Sequence, residues 1–134
     1  MSSEHPARVA AQRSMEAVEA GDREAWLANF ADDCIVQDPV GKSILDPTGL
    51  GHSGKAAIAA FWDANIGPNQ VRFDIERSYA GGDEVANVGT ITTTLADGSR
   101  TEVPGVFVYA VDDVGQLRSL RAFWEMEQLR FIPA

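Results

Sequence analysis

The hydrophobic period of this sequence changes at Gly67-Pro68. Before that dipeptide apolar residues recur every three or four positions, and after it they alternate with polar ones, so helices come first and a sheet follows. From Glu4 to Ala20 the positions Ala7, Ala11, Ser14 and Val18 form one stripe, and Gly21 supplies a stop. Asp22 is placed to cap a short second helix whose Trp26, Leu27 and Phe30 share a face, with Ala31-Asp32-Asp33 turning the chain. Cys34-Ile35-Val36-Gln37 then reads as a strand that stops at Asp38-Pro39, where proline withdraws a donor. Residues 39–53 hold two prolines and three glycines without an apolar period and form a long loop, a candidate lid. Ser53 is the expected cap of a third helix running to Ile66, with Ile58, Phe61, Trp62 and Asn65 along one side.

Beyond Pro68, Val71-Arg72-Phe73-Asp74-Ile75-Glu76 alternates as a strand with one dry and one wet face. Gly81-Gly82-Asp83 and Ala96-Asp97-Gly98 are hairpin turns. Val103 to Val111 is apolar on both faces, which predicts a central strand covered by helices on one side and by a second copy of the chain on the other. The last strand, about Gln116 to Leu129, sets Leu120, Ala122, Trp124 and Met126 on one face. The pattern predicts an α+β fold, with the helices packed on one side of a curved antiparallel sheet. With no repeat, linker or low-complexity segment, residues 1–134 make a single domain.

Eleven basic against 20 acidic residues give a formal charge of −9, the wrong sign for a nucleic-acid partner. One cysteine, Cys34, permits no internal disulfide, and His5 and His52 alone do not make a zinc ligand set, so neither metal nor cofactor is expected. No apolar run is long enough to span a membrane, and Met1 to Pro6 lacks the basic start and apolar block of a signal peptide; a cytoplasmic location is the expectation. Gly49-Leu50-Gly51-His52-Ser53-Gly54 spells GxGxxG, yet a proline loop precedes it and no parallel βαβ unit surrounds it. Gly41-Lys42-Ser43 fails as a P-loop tail, because the required first glycine is Val36.

Asp38 is the carboxylate of interest. Strand alternation puts Cys34, Val36 and Asp38 on one face that is otherwise apolar. At the rim of a dry pocket its charged form loses hydration, which raises its pKa and makes it a proton acceptor near neutrality; alternatively Asp-Pro opens a turn and caps local backbone. Ser14, inward on a helix, either returns its hydroxyl to a backbone carbonyl or donates into a pocket. Trp62, Trp124 and Phe107 are core aromatics or, around a large cavity, ligand contacts.

Taken in order, Glu19-Ala20-Gly21-Asp22, Phe30-Ala31-Asp32-Asp33, Val36-Gln37-Asp38-Pro39-Val40-Gly41, Ala57-Ile58-Ala59-Ala60-Phe61-Trp62, Gly115-Gln116-Leu117 and Ala122-Phe123-Trp124 resemble the ketosteroid isomerases of the nuclear transport factor 2-like superfamily. The resemblance implies a cone-shaped α+β barrel, three N-terminal helices on a curved, mixed, mostly antiparallel sheet, with a pocket for an apolar small molecule, steroid or polyketide-like. It places Asp38 on the general base that shifts a double bond by carrying a proton between two carbons, and puts Val18, Val103, Gly105, Ala122 and Trp124 on the pocket wall. It also implies an oxyanion site in which a tyrosine and a carboxylic acid kept neutral both donate, but here that acid aligns with Phe107 and the family's helix-borne tyrosine with Ser14. Two supporting tyrosines correspond to Phe30 and Trp62. Replacement donors are Ser14, the indoles of Trp62 and Trp124, His52, or Tyr109 if the register shifts at Pro104. Three functions follow: a steroid Δ-isomerase-like enzyme, a non-catalytic binding protein that kept the pocket, or another base-dependent reaction such as cyclisation, dehydration or epoxide opening.

Overall fold

The computed structural model describes residues 5–134. The Glu4 helix start therefore lies outside the described residues. Helix α1 (Pro6–Ala20) has proline in its first turn, and His5 caps it by accepting from the Ala7 amide at 3.2 Å. Gly21, at φ 69°, ends it, with the Gly21 and Asp22 amides returning to the Val18 and Ala17 carbonyls. Its buried face is small residues, Ala7, Ala10, Ala11, Ser14, Ala17 and Val18, so the helix lies close against the sheet. Asp22 caps α2 (Arg23–Ala28) by accepting from the Ala25 amide at 3.1 Å. Lys55 donates to the Leu27 carbonyl at 2.5 Å, placing a cation at the negative end of α2.

Helix α3 (Lys55–Phe61) continues into a π-helical turn over Trp62–Ile66. Gly54, at φ 88°, occupies its N-cap without a side-chain cap bond, in place of the expected Ser53. Ser53 is instead engaged in a two-residue strand.

The strands are β1 (Phe30–Gln37), β2 (His52–Ser53), β3 (Gln70–Gly81), β4 (Glu84–Thr94), β5 (Arg100–Val111), β6 (Leu117–Phe123) and β7 (Arg130–Ile132). They form one sheet in the order β2-β1-β6-β5-β4-β3, with β7 added to β5. Among the described residues only the β1–β6 pairing is parallel. The expected cone of helices on a curved, mostly antiparallel sheet is present, and it is unclosed: β2 and β3 end the sheet and do not pair.

Two boundaries differ from the sequence expectation. β1 begins at Phe30 and not at Cys34, because Phe30 pairs with Leu117, and this distant partner draws Asp32 and Asp33 into the strand with their side chains in water. The terminal strand breaks after Phe123; a 3₁₀ turn at Met126–Gln128 leaves Met126 exposed before β7 forms.

The cone owes its shape to a crease. β3 carries a bulge between Ile75 and Arg77, opposite Gly89 and Val88 of β4, and a bulge bends the strand that holds it. Gly89 pairs in turn with Gly105 of β5. A Cβ on Gly89 would lie 2.2 Å from the Asp74 carbonyl oxygen, and one on Gly105 would lie 2.6 Å from that of Phe123. Backbone has moved into the space side chains would need.

The core fills the concave side under the helices, with Trp26 edge-on to Phe30 at 4.8 Å and tilted against Trp62 at 5.3 Å. The 39–53 loop is ordered by Asp46, which accepts from the amides of Gly51 at 2.8 Å and Gly49 at 3.2 Å and from Thr48 Oγ1 at 3.0 Å. Those amides, Gly51 first, hold its carboxyl below the usual range. Among the described residues no helix is long and apolar enough to cross a membrane.

The crease gives a paired test. Gly89→Ala must displace backbone and should cost about 1–3 kcal/mol, the range of overpacked cores. Gly81→Ala meets nothing within 4 Å and should change stability by less than about 0.5 kcal/mol. Urea unfolding of the two variants beside the wild type measures both.

Candidate active site

Between α1 and the concave face lies a cavity of about 210 Å³. Ser14 and Val18 come from the helix, Val103, Phe107 and Tyr109 from β5, and Ala122 from β6. Leu45 of the loop and Leu129 before β7 complete the rim. The lining is mostly apolar, with few polar groups to orient a guest, the usual make-up of a small-molecule site.

Of the residues expected at the site, Ser14, Val18, Asp38, Val103, Phe107, Ala122 and Trp124 lie on this wall. Phe30, Trp62 and Gly105 do not. Phe30 and Trp62 both pack against Trp26, and it is Trp26 that lines the cavity. Gly105 sits in the crease, overlain by Phe123 and Trp124, and borders a shallow surface groove instead.

Asp38 is positioned from both sides. β1 delivers it on the same face as the fully buried Cys34 and Val36. Beyond the cis Asp38–Pro39 bond, the Val40 amide donates to the Ala122 carbonyl at 2.9 Å and fastens the turn to β6. Trp124 Nε1 donates to Asp38 Oδ1 at 2.6 Å, a charge-assisted bond when the acid is ionised. Loss of water raises the carboxyl's pKa above the usual carboxylate value; the indole bond and the imidazole of His52 act against that rise without cancelling it.

A second polar group faces the same space. Trp26 Nε1 donates to Ser14 Oγ at 3.1 Å, and Ser14 and the Tyr109 phenol line the same cavity wall. Burial first, and then the negative charge of Asp38, push the Tyr109 pKa well above its ordinary value, so the phenol keeps its proton at physiological pH. No register shift is needed to bring Tyr109 inward. β4 and β5 pair without interruption from Glu84–Ala110 to Thr94–Arg100, so Val103, Phe107 and Tyr109 share one face across Pro104. Strand parity alone could have found this residue.

His52 is off the wall. Its ring packs on Phe61 at 4.9 Å, and its Nε2 is buried without a hydrogen-bond partner among the described residues. Leu45 and Leu129 carried no sequence signal, because one lies in an aperiodic loop and the other follows the strand break. Among the described residues no cluster of His, Cys, Asp or Glu has the grouping to hold a metal ion.

The SnoaL-like domain matches residues 11–120. The chain belongs to the SnoaL-like family. This places it in the nuclear transport factor 2-like superfamily that the sequence resemblance implied. A steroid Delta-isomerase of Nocardioides simplex is 32% identical to this SnoaL-like chain over 134 residues, 100% of this chain and 100% of that one. The crystal structure of a Delta 5-3-ketosteroid isomerase from Mycobacterium sp. is similar with a TM-score of 0.91 at 43% identity, over 95% of this chain and 98% of that one. A Mycobacterium tuberculosis protein crystallised in complex with estradiol-17beta-hemisuccinate gives a TM-score of 0.91 at 37% identity, over 96% and 100% of the two chains.

The Asp38 environment has a consequence for the stability of this SnoaL-like protein. Its folded pKa is raised, so the native state holds this proton to higher pH than the unfolded chain does, and stability from this group is lost as pH rises through the folded value. Asp38→Asn should therefore melt at a higher temperature than wild type at pH 7. The difference should close as pH falls toward about 4, where an unfolded aspartate also protonates. Thermal melts across pH read this directly.

Proposed function

We propose that this protein is a steroid Δ-isomerase-like enzyme acting on a ketosteroid or similar apolar polycyclic ketone, with Asp38 as its base. One observation carries the reading: a carboxylate with raised proton affinity faces an apolar cavity and is held there by the Trp124 indole. An ionised, water-poor carboxylate takes a proton from carbon more readily than a hydrated one, and a pKa moved toward neutrality lets it return that proton. The activities of the relatives from Nocardioides simplex and Mycobacterium sp. support the same substrate class.

Size bears on the substrate too. At about 210 Å³ the cavity falls below the roughly 300–1,000 Å³ of drug-sized sites. A rigid four-ring guest would therefore extend past Leu45 and Leu129 or displace them.

Asp38→Asn should lower kcat on a Δ5-3-ketosteroid by about a hundredfold to ten-thousandfold, the usual contribution of a general base. Steroid affinity should stay within about threefold, since the amide keeps the shape and still accepts from Trp124. In the wild type, kcat/KM should rise about tenfold per pH unit and level off above the Asp38 pKa. Unchanged turnover in Asp38→Asn would remove the base.

A second reading is favoured by Phe107, which puts a hydrocarbon ring on the wall where the resemblance calls for an acid donor. On that reading the protein binds apolar ligands without transforming them, and steroid titration with no turnover identifies it. The proposal extends to a homodimer through the outer sheet face, supported by the partly exposed Val40 and Phe123 beside Val106. Sedimentation at micromolar concentration should give twice the 14.4 kDa chain mass.

A further inference from the structure

We propose, building on Asp38 as the base, that the Tyr109 phenol is the donor that holds the ligand's oxygen during proton transfer, and that Ser14 and Trp26 fix the direction in which it points. Enolate formation places negative charge on that oxygen, and a preorganised donor aimed at it is the largest single aid such a reaction has.

The alternatives fail on geometry. Trp124 spends its one N–H on Asp38. Trp62 and His52 are off the wall, and Phe107 has no donor. Asn65 gives one of its two amide N–H groups to the Phe61 carbonyl at 3.2 Å and belongs to the helical turn after α3, not to the sheet face that carries Asp38. Thr93 and Thr101 face each other across β4 and β5, eight residues along β5 from Tyr109, or roughly 26 Å of strand. Ser14 and Tyr109 remain.

Between these two the relay decides. Ser14 has one proton and, as an acceptor, already receives the Trp26 indole N–H. The usual outlet for a helical serine proton is the carbonyl one turn back, here Ala10. That carbonyl accepts from Asn29 Nδ2 at 2.9 Å and, within the helix, from the Ser14 amide. The serine proton is therefore left for the Tyr109 oxygen on the same wall, and the serine hydroxyl opposes the rise in the phenol's pKa as a donor to it does. Indole donates to serine, serine to phenol, and the phenol's own proton faces the cavity.

Placement fits a ligand between base and donor. Tyr109 pairs with Leu120, and Leu120 with Val36, so Tyr109 stands two strands from β1, roughly 10 Å across the concave face, and Asp38 lies two residues further along β1. In the step this allows, Asp38 takes a proton from the carbon beside the carbonyl. The C–H electron pair becomes a carbon–carbon double bond and the carbonyl π pair moves to oxygen, where the phenol O–H holds it. The electrons then return, the Asp38 carboxyl protonates the far carbon of the conjugated system, and nothing is oxidised, reduced or released.

The test combines turnover with a readout that needs none. Tyr109→Phe should lower kcat on a Δ5-3-ketosteroid by about a hundredfold to a thousandfold and leave KM within about threefold. Ser14→Ala, which keeps the ring and frees its orientation, should lower kcat by a smaller factor. For the second readout, 2-naphthol is titrated into Asp38→Asn, where no carboxylate opposes a bound anion. Near-ultraviolet absorbance should show it partly ionised, and adding Tyr109→Phe should reduce that fraction and weaken binding at least tenfold. Adding Ser14→Ala in its place should reduce the ionised fraction in part, which gives a measurement independent of how well the phenylalanine variant folds. A kcat within threefold of wild type in Tyr109→Phe, alongside a collapse in Asp38→Asn, overturns the donor and leaves the base standing. If the wild type turns over no ketosteroid, the naphthol comparison decides alone, and equal ionisation with and without the phenol overturns the proposal. Full turnover in Asp38→Asn with a naphthol response that still depends on Tyr109 keeps the donor and removes the base.

Discussion

Where β3 passes Gly89, the Asp74 carbonyl stands where a side chain would begin, and one strand further on the Phe123 carbonyl does the same at Gly105. A sheet with Cβ atoms at both places would have to flatten there. The bulge beside Gly89 adds a residue to β3 and turns it inward, so the sheet closes over α1 and leaves a hollow rather than a second packed layer. The inward direction of Ile91, Val103, Phe107 and Tyr109 follows from that curvature together with the period-two rule. The small residues of α1 do the complementary work, because larger ones would lift the helix away from the wall it completes.

The cavity is dry enough to make a carboxylate costly and polar enough to keep one. Hydration lost at Asp38 raises its proton affinity, and a single indole bond limits the rise. Two or three strong donors would lower its proton affinity and make it a poorer base; with none, desolvation would raise that affinity further. Tyr109 sits on the other side of this balance. The same shortage of water, with the nearby negative charge, keeps its proton in place, so one environment prepares an acceptor and a donor at a single pH.

Much of this is legible in the sequence alone. The stripe through Ala7, Ala11, Ser14 and Val18, the Asp22 cap, the parity that turns Asp38 inward and the hairpin turns are all local, and local chemistry decides them. What escapes depends on partners far along the chain. β1 extends back to Phe30 because Leu117 waits there, a contact no window of neighbouring residues contains. Phe30 and Trp62 have the right periodicity for a pocket, yet whether an inward ring meets a cavity or another ring is settled by Trp26. Tyr109 is visible on its strand, and only the assumed irregularity at Pro104 obscures it. The relay behind it requires the Asn29 amide, which comes from a different element and occupies the outlet Ser14 would otherwise use.

The bond between Asp38 and Trp124 joins positions 86 residues apart. β1 lies parallel to β6, and a parallel pair cannot be closed by a short turn, so its members meet only across a long stretch of chain. Such non-local topology makes assembly slow and concerted. A nascent chain that has not yet reached residue 117 carries Asp38 as an ordinary hydrated acid with ordinary acidity. Reactivity arrives with the closing strand, so any measure of proton affinity at that one carboxyl doubles as a gauge of how many molecules have completed folding.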